Sequence, residues 1–171
     1  MIQTRNILQQ YWGYTNFRPL QQDIIESVLQ KKDTLALLPT GGGKSICFQV
    51  PALATDGICI VITPLIALMQ DQVEQLSKRG IPAIAIYSGM SKKQIDIALD
   101  NCIYGQVKFI YVSPERLKTD LFIERAKQMN ISLLVVDEAH CISQWGYDFR
   151  PPYLEINNFR EIIPKVPCIA L

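Results

Sequence analysis

The chain has 171 residues, 17 Lys and Arg against 16 Asp and Glu, and a hydrophobic content of 49%. That length fits one domain, burying roughly 70% of the surface its unfolded chain exposes. A net charge of +1 excludes whole-domain attraction for nucleic acid, so any such binding needs a local patch. No apolar run reaches the length of a membrane span, so no membrane partner is expected. The five cysteines (Cys47, Cys59, Cys102, Cys141, Cys168) are odd in number, scattered and free of C-x-x-C spacing. They read as buried reduced thiols in an intracellular protein, cytoplasmic if bacterial.

The opening stretch, MIQTRNILQQYWG, is too polar for a signal peptide and reads as a short helix. A polar-aromatic cluster follows, including Tyr14, Phe17, Arg18, Gln21 and Gln22, and Pro19 begins a helical pattern that runs to Lys31-Lys32. One reading is a helix cap with packed aromatics. The other is a base-binding surface, in which the Gln21 amide pairs with an adenine edge while an aromatic ring stacks on its face.

Next, an apolar strand, Thr34–Leu38, ends in Pro39-Thr40, then Gly41, Gly42, Gly43, Lys44 and Ser45. The glycines allow a left-handed backbone that turns several N–H groups toward one point, and the helix after them adds its unpaired amides and positive dipole end. Lys44 would reach the β- and γ-phosphates of a nucleotide, and the Ser45 hydroxyl would ligate Mg²⁺. Leu38 stands where the strict phosphate-loop pattern has Gly, but the half that touches phosphate is intact. A dinucleotide site fits poorly, because it wants Gly-x-Gly-x-x-Gly and no Lys.

Further strand-like runs lie at Ile58–Thr63, Ala83–Tyr87, Phe109–Val112, Leu133–Val136 and Cys168–Leu171, separated by helix-length segments. Strands that are apolar throughout predict an α/β domain with a doubly wound, mostly parallel sheet and ligands at the carboxyl ends of its strands. Two strand-end loops, Thr63-Pro64-Leu65 and Ser113-Pro114-Glu115-Arg116-Leu117, each open a predicted helix. Their hydroxyls could bind nucleic-acid phosphates or serve as ordinary N-caps.

The strand Leu133–Val136 ends in Asp137-Glu138-Ala139-His140. At the same sheet edge as the phosphate loop, Asp137 can hold Mg²⁺, partly through water, and Glu138 can polarise the water that attacks the γ-phosphate. His140 reads as a hydrogen-bonding link to neighbouring loops, because Glu138 already supplies a base. The segment after it carries Trp145, Phe149 and Arg150, either folded back into the core or forming a platform on which unpaired bases stack.

Together the stretches GYTNFRPLQQDII, LLPTGGGKSICFQVPAL, VITPLIALMQDQVEQL, YVSPERL and VVDEAHCISQWGYDFRPPY resemble the first motor lobe of a superfamily 2 helicase, specifically one of the RecQ family of DNA helicases, across about residues 13–155. The resemblance implies a RecA-like phosphate-loop NTPase lobe over 1–171, with 1–32 as an N-terminal helical adenine-binding segment. It implies an ATP- and Mg²⁺-dependent motor unwinding DNA 3′ to 5′ at single strands and duplex junctions, in repair and recombination. It assigns Tyr14, Arg18 and Gln21 to adenine, and Thr40, Gly41, Gly42, Gly43, Lys44 and Ser45 to phosphate. Lys44, Asp137 and Glu138 become the catalytic set. Trp145, Phe149 and Arg150 become the loop coupling single-stranded DNA to hydrolysis.

Two positions depart from the family. Tyr147 stands where many members have His, and Leu20 stands where many have Gly, read here as a packing change. The second motor lobe and any zinc or winged-helix segment are expected outside this chain, which alone should bind nucleotide weakly and hydrolyse it slowly. An RNA helicase lobe and a non-catalytic nucleic-acid-binding module are the competing readings.

Overall fold

The computed structural model describes residues 2–39, 41–143 and 150–171. Six strands form one sheet: β1 (Thr34–Leu35), β2 (Ile58–Ile62), β3 (Ala83–Ile86), β4 (Phe109–Val112), β5 (Ile131–Val136) and β6 (Cys168–Ala170). Their order is β1-β6-β5-β2-β4-β3, and every pairing is parallel. The chain runs outward from β1 through β2 to β3 and returns through β4, β5 and β6. Parallel neighbours require crossovers of one hand, so the outward and return legs place their helices on opposite faces. One face carries α3 (Lys44–Leu53) and α4 (Ile66–Lys78), and the other α5 (Lys92–Tyr104), α6 (Asp120–Ala126) and α7 (Ile156–Ile162).

Strand composition follows from this double cover. All five residues of β2 are buried. Ile58, Ile60 and Ile62 pack toward α5–α7, while Cys59 and Val61 pack toward α3–α4. An alternating polar strand would place polar groups in one of these dry layers. All five cysteines are buried, and desolvation pushes the Cys47 and Cys102 thiols up to about 12 and that of Cys168 to about 11. The helices α1 (Ile2–Trp12) and α2 (Gln21–Leu29) pack on α3 through Leu8, Ile25, Ile46 and Val50. Among the described residues no helix is long and apolar enough to cross a membrane.

Three expectations need correction. β1 has two residues, not five, because it is an edge strand whose single neighbour, β6, ends at Ala170. The Ala36 N–H still reaches the Ala170 carbonyl at 2.8 Å, but Leu37 beyond it is 79% exposed. The helix expected from Pro19 starts at Gln21, because Leu20 adopts a left-handed backbone at φ 70°. Leu20 is itself exposed, so a glycine there would suit the backbone; packing does not explain the position. Finally, Pro114–Lys118 is a 3₁₀ turn, closed by bonds from Arg116 N–H to Ser113 O and from Thr119 N–H to Arg116 O. The α-helix begins only at Asp120.

Candidate functional site

The glycine-rich loop joins β1 to α3. Gly41 and Gly43 sit at φ 77° and 75°, the left-handed region where a side chain is strained. The Gly42 N–H donates to the Pro39 carbonyl at 2.9 Å, closing the turn, while Thr40 lies outside the described residues. Lys44 and Ser45 open α3, which no side chain caps. Its first amides and dipole end therefore remain available to an anion.

The N-terminal segment is wired directly to this loop. Gln21, only 2% exposed, donates through Nε2 to the carbonyls of Gly42 (3.3 Å) and Gly43 (3.1 Å), and its Oε1 accepts from the Arg18 N–H at 2.9 Å. Arg18 Nη1 donates to the Gly41 carbonyl at 2.6 Å. Gln21 and Arg18 thus hold the loop's carbonyls in place, and Tyr14 is half exposed. A cavity of about 580 Å³ is lined by Tyr14, Arg18, Gln21, Gly41, Gly43, Lys44, Ser45 and Glu138, drawn from three distant segments. A larger hollow of about 930 Å³ is lined mostly by apolar groups such as Leu35, Leu37, Ile142 and Leu154. The smaller one gathers the donors and charges, and we take it as the candidate site.

The same cavity is also lined by Trp12, from the polar-aromatic stretch before α2, and by residues to which the sequence assigned no role: Gln49, Gln72 and Arg79. Gln49 of α3 is buried and donates to Gln72 of α4 at 3.2 Å and to the Tyr111 hydroxyl at 3.5 Å; the Arg79 guanidinium lies 5.8 Å from the centre of the Trp12 ring. Polar residues at helical spacing look in sequence like an ordinary solvated face, so nothing there marks them.

Asp137 follows β5 and is anchored by its N–H to the Ile62 carbonyl at 2.9 Å. Burial, then the neighbouring Glu138 charge, raises its carboxyl above the usual range, while Lys44 among others pulls it down. Glu138 adopts a left-handed backbone at φ 53° and donates its N–H to Asp137 Oδ1 at 3.0 Å. For a glutamate that conformation is strained, of order 1–3 kcal/mol, and persists only when the surroundings impose it. Two constraints do so here: Ala139 N–H bonds to the Leu171 carbonyl at 2.8 Å, and the buried Tyr153 hydroxyl donates to the Asp137 carbonyl at 2.8 Å. His140 Nδ1 lies 3.4 Å from Glu138 Oε2.

Arg150 N–H donates to the Cys141 carbonyl at 2.8 Å. Trp145 and Phe149, the stacking candidates, lie outside the described residues. Thr63 supports neither sequence reading. It is 1% exposed, so its hydroxyl cannot meet a nucleic-acid phosphate, and α4 has Leu65 at its N-cap with no side-chain bond. Ser113 makes no capping bond either.

The donor set suits a hard dication. A hydroxyl and a carboxylate whose ionised form is otherwise disfavoured are oxygen ligands of the kind Mg²⁺ takes. No cluster of three or more His, Cys, Asp or Glu gathers among the described residues. Mg²⁺ asks for none, since it keeps waters and substrate phosphates in its shell.

The sheet, the loop and the acidic strand end define a phosphate-loop nucleoside-triphosphatase domain. The profile of DEAD/DEAH box helicases matches residues 18–171, and the chain belongs to that family. Over its full length it is 45% identical to a probable ATP-dependent DNA helicase RecS of Bacillus subtilis, covering 34% of that protein. Over 97% of its length it is 42% identical to ATP-dependent DNA helicase RecQ of Haemophilus influenzae, covering 27%. Over 98% it is 44% identical to a putative ATP-dependent RNA helicase of Acanthamoeba polyphaga mimivirus, covering 30%. The chain thus spans about a third or less of these relatives. The solved DUF1998 helicase MrfA bound to DNA shares the fold, with a TM-score of 0.76 at 18% identity over 98% of this chain and 26% of that one.

Proposed function

We propose that this chain is the ATP-binding motor lobe of a RecQ-type DNA helicase that hydrolyses ATP to unwind duplexes 3′ to 5′, inside the cell. The observation that carries the reading is the cavity in which the phosphate loop, Glu138 and the Tyr14–Gln21 segment meet. In it Tyr14, Arg18 and Gln21 face the base end of a nucleotide, and the α3 amides, Lys44 and Ser45 the phosphate end. Gln21 can meet adenine through the second lone pair of Oε1 without releasing the loop. Ser45 and Asp137 would hold Mg²⁺, which supplies positive charge against the transferring phosphoryl oxygens. Glu138, fixed by its strained backbone, orients the attacking water and accepts its proton. Trp145, Phe149 and Arg150 link this chemistry to single-stranded DNA.

A second lobe is needed to close on ATP, and an arginine supplied from such a partner is worth on the order of 10³-fold or more in related phosphoryl transfers. The 171-residue chain alone is therefore expected to turn over far below the roughly 1–100 s⁻¹ of ordinary motors and kinases. The decisive experiment is steady-state ATP hydrolysis by a two-lobe helicase containing this lobe, with and without single-stranded DNA, as wild type and as Trp145→Ala. Stimulation by DNA that the variant loses is the expected result, and equal rates with and without DNA would refute the coupled motor. The mimivirus relative's name favours a second reading, an RNA helicase, which greater stimulation by RNA than by DNA would support.

A further inference from the structure

β2 and β5 are paired with Ile62 opposite Val136, so Thr63 and Asp137 are the next residues along two neighbouring strands. Side chains alternate along a strand. Val61 and Val135 lie on the α3–α4 face, and Ile62 and Val136 on the other. The alternation returns Thr63 and Asp137 together to the α3–α4 face, where the phosphate-loop helix packs. Backbone bonds fix both: Thr63 N–H to the Val112 carbonyl at 3.1 Å and Asp137 N–H to the Ile62 carbonyl at 2.9 Å.

At 1% exposure, the Thr63 hydroxyl is buried and makes no hydrogen bond among the described residues. A buried hydroxyl without a partner destabilises the fold, and a valine of the same shape would fill the space without that penalty. Neither solvent nor a helix cap accounts for it. The strand register sets it beside Asp137, the next residue along the neighbouring strand, without a closed hydrogen bond between them. Of the two carboxylate oxygens, Oδ1 already accepts from the Glu138 N–H. The Tyr111 hydroxyl, another polar group on this face, accepts from Gln49.

We propose that Thr63 is a positioning residue for the metal site, its buried hydroxyl set beside Asp137 to orient from behind the carboxylate that would ligate Mg²⁺. This rests on the nucleotide-site reading above and deepens it. Groups that orient metal ligands from behind typically change metal affinity 10- to 100-fold when removed, and a hydroxyl bonded to an ionised carboxylate acts in that way.

Two measurements test it. In the nucleotide-free chain, a urea-unfolding cycle of Thr63→Val, Asp137→Asn and the double variant is expected to be non-additive; additive midpoint shifts would overturn the contact. In nucleotide binding, followed with a fluorescent ADP analogue, Thr63→Val is expected to raise the half-saturating Mg²⁺ concentration about 10-fold. Affinity in EDTA should stay unchanged, and Thr63→Ser should retain wild-type Mg²⁺ dependence. Loss of stability with an unchanged Mg²⁺ response would mean a packing role only and overturn the proposal. Lys44→Ala serves as the separate control for the nucleotide site. Should wild-type binding ignore both Mg²⁺ and that substitution, the nucleotide reading falls, while the urea cycle still decides for or against the Thr63–Asp137 contact.

Discussion

Gly43 and Gly41 share nearly the same left-handed backbone but not the same surroundings. A Cβ on Gly41 would meet nothing within 4 Å, whereas one on Gly43 would lie 2.4 Å from Gln21 Nε2. Gly41→Ala therefore carries only conformational strain, about 1–2 kcal/mol. Gly43→Ala carries the same strain and also evicts the Gln21 amide from the loop carbonyls. Two hydrogen bonds at about 0.5–1.5 kcal/mol each are then lost or weakened, for a total with the strain of about 2–5 kcal/mol. Urea denaturation of both variants, with m unchanged, measures the difference. In a Gln21→Ala background the two alanines should become equally destabilising, because the clash partner is gone. Equal costs of Gly41→Ala and Gly43→Ala in the wild-type background would refute the view that Gln21 braces the loop.

Leu20→Gly should alter stability by less than about 1 kcal/mol, since relief of left-handed strain offsets the added freedom of the unfolded chain. Leu20→Val should lose about 1 kcal/mol or more, because a β-branched residue tolerates that conformation poorly, and a large loss in Leu20→Gly would restore the packing explanation. Tyr153→Phe should cost about 1–2 kcal/mol in urea unfolding, as it leaves the Asp137 carbonyl without its donor. Asp137 holds its proton more tightly folded than unfolded. Its contribution to stability is therefore fully present below its ordinary value near 3.8 and is lost as pH rises through the raised folded value. Asp137→Asn should consequently raise the melting temperature of the nucleotide-free chain at neutral pH, with the advantage vanishing in acid. An Asp137→Asn variant less stable than wild type at pH 7 would contradict this.

Fold class and chemical landmarks were legible in the residues alone. Runs such as Ile58–Ile62, apolar at every position, have no soluble solution except burial on both faces, and the glycine triplet before Lys44-Ser45 dictates a left-handed turn opening a helix. The Asp137-Glu138 pair follows from a buried strand that ends in charge. These are local signals, carried by composition and spacing over a few residues. What the tertiary structure decided is which distant groups meet. Strand order β1-β6-β5-β2 puts Thr63 beside Asp137 across 74 positions of chain, and the packing of α1 and α2 on α3 brings Gln21 against the loop glycines. Sequence also misjudged the ends of elements: β1 stops early for want of a second neighbour, and Leu20 takes a backbone that its own preferences oppose. Burial, too, is a property of the whole fold, and that is why a threonine read as a phosphate-binding hydroxyl or an N-cap lies in the dry layer beside Asp137.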